Sequence, residues 1–187
     1  MFILASQSPQ RKAILQNLHV PFDTIPSGFD ESSIIEQDPI KRALLLAEAK
    51  AAVIASRYPD QWIIGVDTLV VAASGELLEK PVDANDARRM LDLHSGRTSI
   101  IHSALSLQKG GKKFTAVSTA SVTFKHLTDR DIASWIETKL WHDRSGAFQI
   151  EGEGEKLIVK IEGEYETVVG FPVKLFQEMI DREHIVG

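Results

Sequence analysis

Trp62 to Ala72 is the most apolar stretch of this 187-residue chain, and a single carboxylate, Asp67, interrupts it. A short apolar run closed by turn residues, here Ser74-Gly75, reads as a strand entering a hairpin toward Glu76-Leu77-Leu78. An ionised aspartate is expensive to bury there unless it is hydrogen-bonded, metal-bound or set in a cleft. Asp67 is therefore a better functional lead than a charge on a helix surface. The competing reading is a bulge or turn at Gly65 that carries Asp67 out to solvent, and the two stand level.

Other segments alternate in type. Phe2 to Ala5 predicts a buried strand followed at once by a helix, with Ser8 as N-cap, Pro9 at the first helical position, and Ile14, Leu15 and Leu18 at helical spacing. Phe22 to Ile25 predicts a short strand. A long helix follows Pro39, with Leu44, Leu45, Ala49, Val53 and Ile54 as its apolar positions, and another covers Asn85 to Leu93 with Ala87, Met90 and Leu91 on one face. Thr98 to Leu107 and Thr115 to Phe124 predict a hairpin around Lys109-Gly110-Gly111-Lys112. Thr128 with Asp131 suggests a capping box before Ile132, Trp135 and Ile136. A second hairpin is expected from Leu157–Ile161 and Glu166–Val169 around Gly163, and a last helix after Phe171-Pro172. Strands and helices mix throughout, so the class is α/β, and the hairpins require a mixed sheet with flanking helices. No repeat or linker divides the chain, and 1–187 reads as one domain.

Composition narrows the functions. The chain is 43% hydrophobic and 25% charged, ordinary values for a globular protein. It has no cysteine, which removes thiolate catalysis and Cys-based zinc sites. A net charge of −5 weighs against a nucleic-acid coat, although local Lys and Arg clusters can still take a small anion. No apolar run approaches the roughly 20 residues that span a bilayer, and the start lacks a basic leader, so no membrane partner and a cytoplasmic location are expected. The six histidines form no H-E-x-x-H pair, and the phosphate-loop and G-x-S-x-G patterns are absent.

Four places carry candidate chemistry. Ser8-Pro9-Gln10-Arg11-Lys12 opens a helix whose free N–H groups attract anions, and Arg11 can add a bidentate phosphate contact, although locally the same residues read first as a capped helix with ordinary surface cations. Asp67 is the second. Glu79-Lys80-Pro81 and Asp30-Glu31 offer a cation for phosphate and carboxylates for Mg²⁺. Taken singly, each of these last two, like Lys50 late in its helix, reads first as a solvated surface charge.

Eight pieces resemble one family in order and at its spacing: Leu4–Arg11, Phe29-Asp30-Glu31, Ala47–Ala51, Gly65-Val66-Asp67-Thr68, Leu78-Glu79-Lys80-Pro81, Ser95–Thr98, Ser145–Gly152 and Val169–Pro172. The sequence resembles the Maf family of nucleoside triphosphate pyrophosphatases. The resemblance implies two lobes around a nucleotide cleft, like inosine-triphosphate pyrophosphatase, and hydrolysis of a nucleoside triphosphate to monophosphate and pyrophosphate. It also implies a divalent metal cation (Mg²⁺, Mn²⁺ or Co²⁺) and a homodimer. On it, Ser8, Arg11, Lys50 and Lys80 hold the phosphates, Glu31 helps place the metal, and Asp67, also a metal ligand, activates the attacking water.

Specificity is open at this stage. Thr68 matches the family's thymidine/uridine-triphosphate branch, whereas Gln10 and Glu151 depart from it, and Gln10 and Thr68 depart from the 7-methyl-GTP branch. Gln10 and Glu151 can both read base edges. The alternative function is a nucleotide-binding regulator of septum formation with little turnover.

Overall fold

The computed structural model describes residues 1–185. Its strands are β1 (Phe2–Leu4), β2 (Phe22–Thr24), β3 (Trp62–Val71), β4 (Leu77–Leu78), β5 (Thr98–Lys109), β6 (Lys112–Phe124) and β7 (Ile158–Glu162). The helices are α1 (Pro9–Asn17), α2 (Pro39–Ala55), α3 (Ala84–His94), α4 (Asp129–Thr138), α5 (Tyr165–Val169) and α6 (Val173–Arg182). The strands form one seven-stranded mixed sheet in the order β2-β1-β3-β5-β6-β7, with β4 paired on β3. β1 runs parallel to both β2 and β3, and β7 antiparallel to β6. The expected mixed α/β sheet with flanking helices is what the chain forms.

The chain divides into two compact units: residues 1–68, 102–118 and 169 onward, and residues 69–101 with 119–168. In the first, strict alternation along β1 and β3 sorts the core. Phe2, Leu4, Trp62, Ile64 and Val66 pack with Leu15 of α1 and Phe176 and Met179 of α6. Ile3, Ala5 and Ile63 pack on the opposite face with Ala51 and Ile54 of α2. By the same period, Asp67 points to the α2 side and Thr68 to the α1 side.

Start signals behave as expected: the Ser8 hydroxyl accepts from the Arg11 N–H, with Pro9 opening α1, and Thr128 and Asp131 complete their capping box. Two expectations fail. The buried stripe of α2 is Ala43, Leu46, Ala47, Lys50, Ala51 and Ile54, while Leu45 stays exposed. The reason lies in β3, where a Cβ on Gly65 would collide with the Ala47 carbonyl and the Ala51 methyl. The helix packs through its small residues because glycine lets the backbones approach, which leaves Leu45 outside. The second hairpin is also absent. Ile158–Glu162 pairs back onto β6, and Tyr165–Val169 is a helical turn in which the Thr167 hydroxyl donates to Glu164 at 2.9 Å.

In the second unit, α3 buries Ala87, Met90, Leu91 and His94, and α4 buries Ile132 and Trp135. A turn over Ser145–Ala147 lies against α3.

Candidate active site

β3 runs unbroken through Gly65, so the bulge reading fails and Asp67 is buried, 4% exposed. Lys50, also buried, meets it from α2, donating to Oδ1 at 2.5 Å. The same ammonium sits 2.8 Å from Oε1 of Glu31, a half-exposed carboxylate in the 3₁₀ turn Glu31–Ser33. Lys50 is thus no solvated cation: the Ala47/Ala51 contact with Gly65 brings its helix close enough to bury it. Asp30 beside Glu31 is a cap instead, its Oδ1 accepting from the Ser32 N–H and hydroxyl.

Asp67 Oδ2 has no hydrogen-bond partner among the described residues and no access to solvent. Among the described residues it is the one carboxylate oxygen left so. Native proteins seldom leave a buried acceptor unpaired unless function requires it. Burial raises the Asp67 pKa above the ordinary carboxylate value, with Glu31 adding to the rise, while Lys50 and Arg11 pull it down. That is the direction a proton acceptor near neutral pH needs.

On the other face of the strand, Arg11 reaches from the first turn of α1. Its Nε donates to the Gly170 carbonyl at 2.9 Å, Nη1 to the Val66 carbonyl at 3.1 Å and the Ser6 hydroxyl at 3.3 Å, and Nη2 to the Thr68 hydroxyl at 3.2 Å. Four of its five N–H groups are therefore engaged within the protein. Desolvation lowers its pKa, opposed by Asp67 and Glu31, and an arginine remains charged through that range. Thr68 shares a 2.8 Å bond with the Ser103 hydroxyl of β5. Ser8 donates its hydroxyl proton to Gln10 Oε1 at 3.2 Å.

The first unit thus gathers Ser8, Gln10, Arg11, Glu31, Lys50, Asp67 and Thr68. Lys80 and Glu151 belong to the second unit, and both are exposed. Sequence reasoning gave no role to Ser6, Ser103 or the Gly170 carbonyl, the partners of Arg11 and Thr68. Ser6 and Gly170 lie in pieces that carry the resemblance, the only signal pointing to them.

The two carboxylates that pair with the Lys50 ammonium, Asp67 with its unpaired Oδ2 and Glu31, are a hard-oxygen donor set. No third Asp, Glu or His joins them among the described residues. Mg²⁺-like ions accept such a sparse set, keeping waters and substrate phosphate oxygens as further ligands. The residues fit a divalent cation.

The family model described as Maf-like protein matches residues 1–183. The chain belongs to the Maf family. This Maf protein is 38% identical to the Acholeplasma laidlawii dTTP/UTP pyrophosphatase over 187 residues, covering 100% of this chain and 98% of that one. It is 42% identical to the Bacillus velezensis dTTP/UTP pyrophosphatase over 171 residues, 91% and 90% of the two chains. A dTTP/UTP pyrophosphatase from Pyrococcus furiosus is 38% identical over 184 residues, 97% and 95%. The solved structure of the Staphylococcus aureus Ham1 protein overlays with a TM-score of 0.55 at 12% identity, covering 97% of this chain and 98% of that one, a likeness of fold. No helix among the described residues is long and apolar enough to cross a membrane.

Proposed function

We propose that this Maf protein is a nucleoside triphosphate pyrophosphatase acting on pyrimidine substrates of the dTTP/UTP class. The observation that carries the reading is Asp67: buried, one oxygen held by Lys50, the other without a partner. The relatives named dTTP/UTP pyrophosphatase support the base class, as does Thr68.

The reaction adds water to the α-phosphorus and breaks its bond to the bridging oxygen, releasing nucleoside monophosphate and pyrophosphate. Asp67 Oδ2 takes the proton of the attacking water. Lys50 keeps the carboxylate oriented and returns positive charge to the site as that proton arrives. Arg11 fixes the strand on both sides of Asp67, through the Val66 carbonyl and the Thr68 hydroxyl, and adds its charge and remaining N–H toward phosphate. Ser8 at the α1 N-terminus and Lys80 contribute further phosphate contacts, and Gln10 and Glu151 read the base. Asp67 and Glu31 would hold a divalent cation. Such an ion, when bound, neutralises charge on the triphosphate. Which metal is used, the homodimer, the single domain and the cytoplasmic location belong to the same reading. A regulator without turnover is not favoured.

The test is pyrophosphate release from canonical and modified triphosphates with Mg²⁺, Mn²⁺ or Co²⁺, and with chelator. Pyrimidine triphosphates are expected to give the highest kcat/KM, with loss of activity in chelator and no unfolding. Preference for a purine would overturn the base assignment, and silence across the panel the activity.

A further inference from the structure

His94 is fully buried at the end of α3, yet no step above uses it. Its Nε2 lies 2.9 Å from the Gly146 carbonyl and its Nδ1 2.7 Å from the Ser99 hydroxyl. A carbonyl only accepts, so Nε2 carries the proton, and Nδ1 receives the Ser99 hydroxyl proton. The ring is stacked on Phe124, with centroids 4.3 Å apart, and meets Phe148 edge-on at 5.1 Å. Burial lowers its pKa to about 4, which keeps it neutral at physiological pH.

Its acceptor is a junction. The Gly146 N–H donates to the Glu79 carbonyl at 3.0 Å, next to Lys80. Gly146 has φ +73°, and a Cβ there would meet Val70, His94 and Phe148 at 3.0 to 3.2 Å. Ala147 also has positive φ, +60°, a costly conformation that its surroundings must hold. They do so through Trp135, whose Nε1 donates to the Ala147 carbonyl at 2.8 Å. Toward Glu151 the segment stays closely wound: the Gln149 amide and the Gly154 N–H both donate to the Glu151 carbonyl, at 3.1 Å each.

We propose that His94 is a positioning residue of the nucleotide site, holding through Gly146 the two segments that carry Lys80 and Glu151. The proposal rests on the pyrophosphatase reading above, in which those two residues touch phosphate and base. It gives a role to a buried histidine whose two nitrogens tie the Gly146 turn to strand β5, with no free atom for chemistry.

The test separates the two ring nitrogens. A glutamine amide reaches the level of Nε2 and an asparagine amide that of Nδ1. His94→Gln therefore keeps a donor for Gly146, whereas His94→Asn keeps the Ser99 contact and loses Gly146. Removing a donor from a buried acceptor is expected to raise KM for the preferred triphosphate about tenfold in His94→Asn, with a smaller change in kcat. Amide hydrogen exchange should rise over 145–151 in that variant at a matched thermal midpoint. His94→Gln should stay near the unmodified protein in both readouts. Asn and Gln variants that are indistinguishable, or KM changes that merely track the thermal midpoint, overturn the proposal. Trp135→Phe removes the second tether but keeps an aromatic ring, so it serves if the His94 variants do not fold. A KM unmoved there also counts against the proposal. Failure of the underlying reading looks different: the unmodified protein would release no pyrophosphate from any triphosphate, and the proposal would fall with it.

Discussion

Asp67 in the first unit and His94 in the second are both buried titratable groups, and their surroundings treat them in opposite ways. Around Asp67 an ion pair is buried with one carboxylate oxygen left unpaired. Around His94 every polar atom of the ring is satisfied and the group is neutral. An unpaired buried oxygen is a cost that folding alone does not recover, and in the proposed mechanism it is the atom that meets the attacking water. A fully paired network rigidifies its surroundings and leaves nothing over for reaction. On the roles proposed above, residual hydrogen-bonding capacity, more than burial or charge, separates the group that reacts from the group that positions.

Removing the reactive acceptor should have the largest effect. Asp67→Asn is expected to cut pyrophosphate release by roughly 10²–10⁴, the worth of a general base, with little change in the thermal midpoint, because Glu31 still pairs with the Lys50 ammonium. A midpoint that falls in step with activity would erase the contrast between the clusters. Lys50→Met leaves Asp67 buried and uncompensated, at about 3–5 kcal/mol by urea unfolding at neutral pH. Acidification should return part of that loss. The Asp67 pKa is raised in the folded state, so the contribution is favourable below the unfolded value and is lost as pH rises through the folded one. Equal losses at pH 7 and at pH 4 would mean that Lys50 matters for packing alone.

Gly146→Ala should cost about 1–3 kcal/mol of stability through its left-handed backbone and the three close neighbours. An unchanged midpoint would show that the Gly146 junction yields easily, and would weaken the case for a rigid loop. In the unmodified enzyme the acid limb of kcat/KM should lie above the ordinary carboxylate range, since Asp67 must be ionised to accept a proton and burial raises its pKa. A limb at or below that range would mean that Lys50 outweighs burial. Smallest of all, Lys156→Ala removes an exposed pair with Glu153 and should shift stability by less than about 1 kcal/mol.

The sequence signals that proved dependable are local. Ser8 with Pro9, Thr128 with Asp131, and the glycines between β5 and β6 act through bonds a few residues long, so their outcome does not await the rest of the fold. Tyr165–Val169 misled because Thr167, Val168 and Val169 have strand propensity, while β7 already had its partner in β6. Asp67 stood out because a charge in an apolar run is conspicuous whatever surrounds it. Lys50 did not, since a lysine late in a helix reads as surface. The helix face that buries it is set by the glycine at position 65, beyond the end of that helix.

From the order of its residues alone, this chain announced an α/β class, its helix starts, an aspartate needing an explanation, and a family pattern spread over nearly its whole length. These are properties of short segments and of their succession. Only the tertiary structure decided that Lys50 pairs with one oxygen of Asp67 while the other has no hydrogen-bond partner among the described residues, that Arg11 spends most of its donors on the protein, and that His94 grips Gly146. Each is a contact between segments far apart in the chain. Its geometry depends on which faces pack together and how closely, and Gly65 governs that at β3 by admitting α2 where any side chain would hold it off.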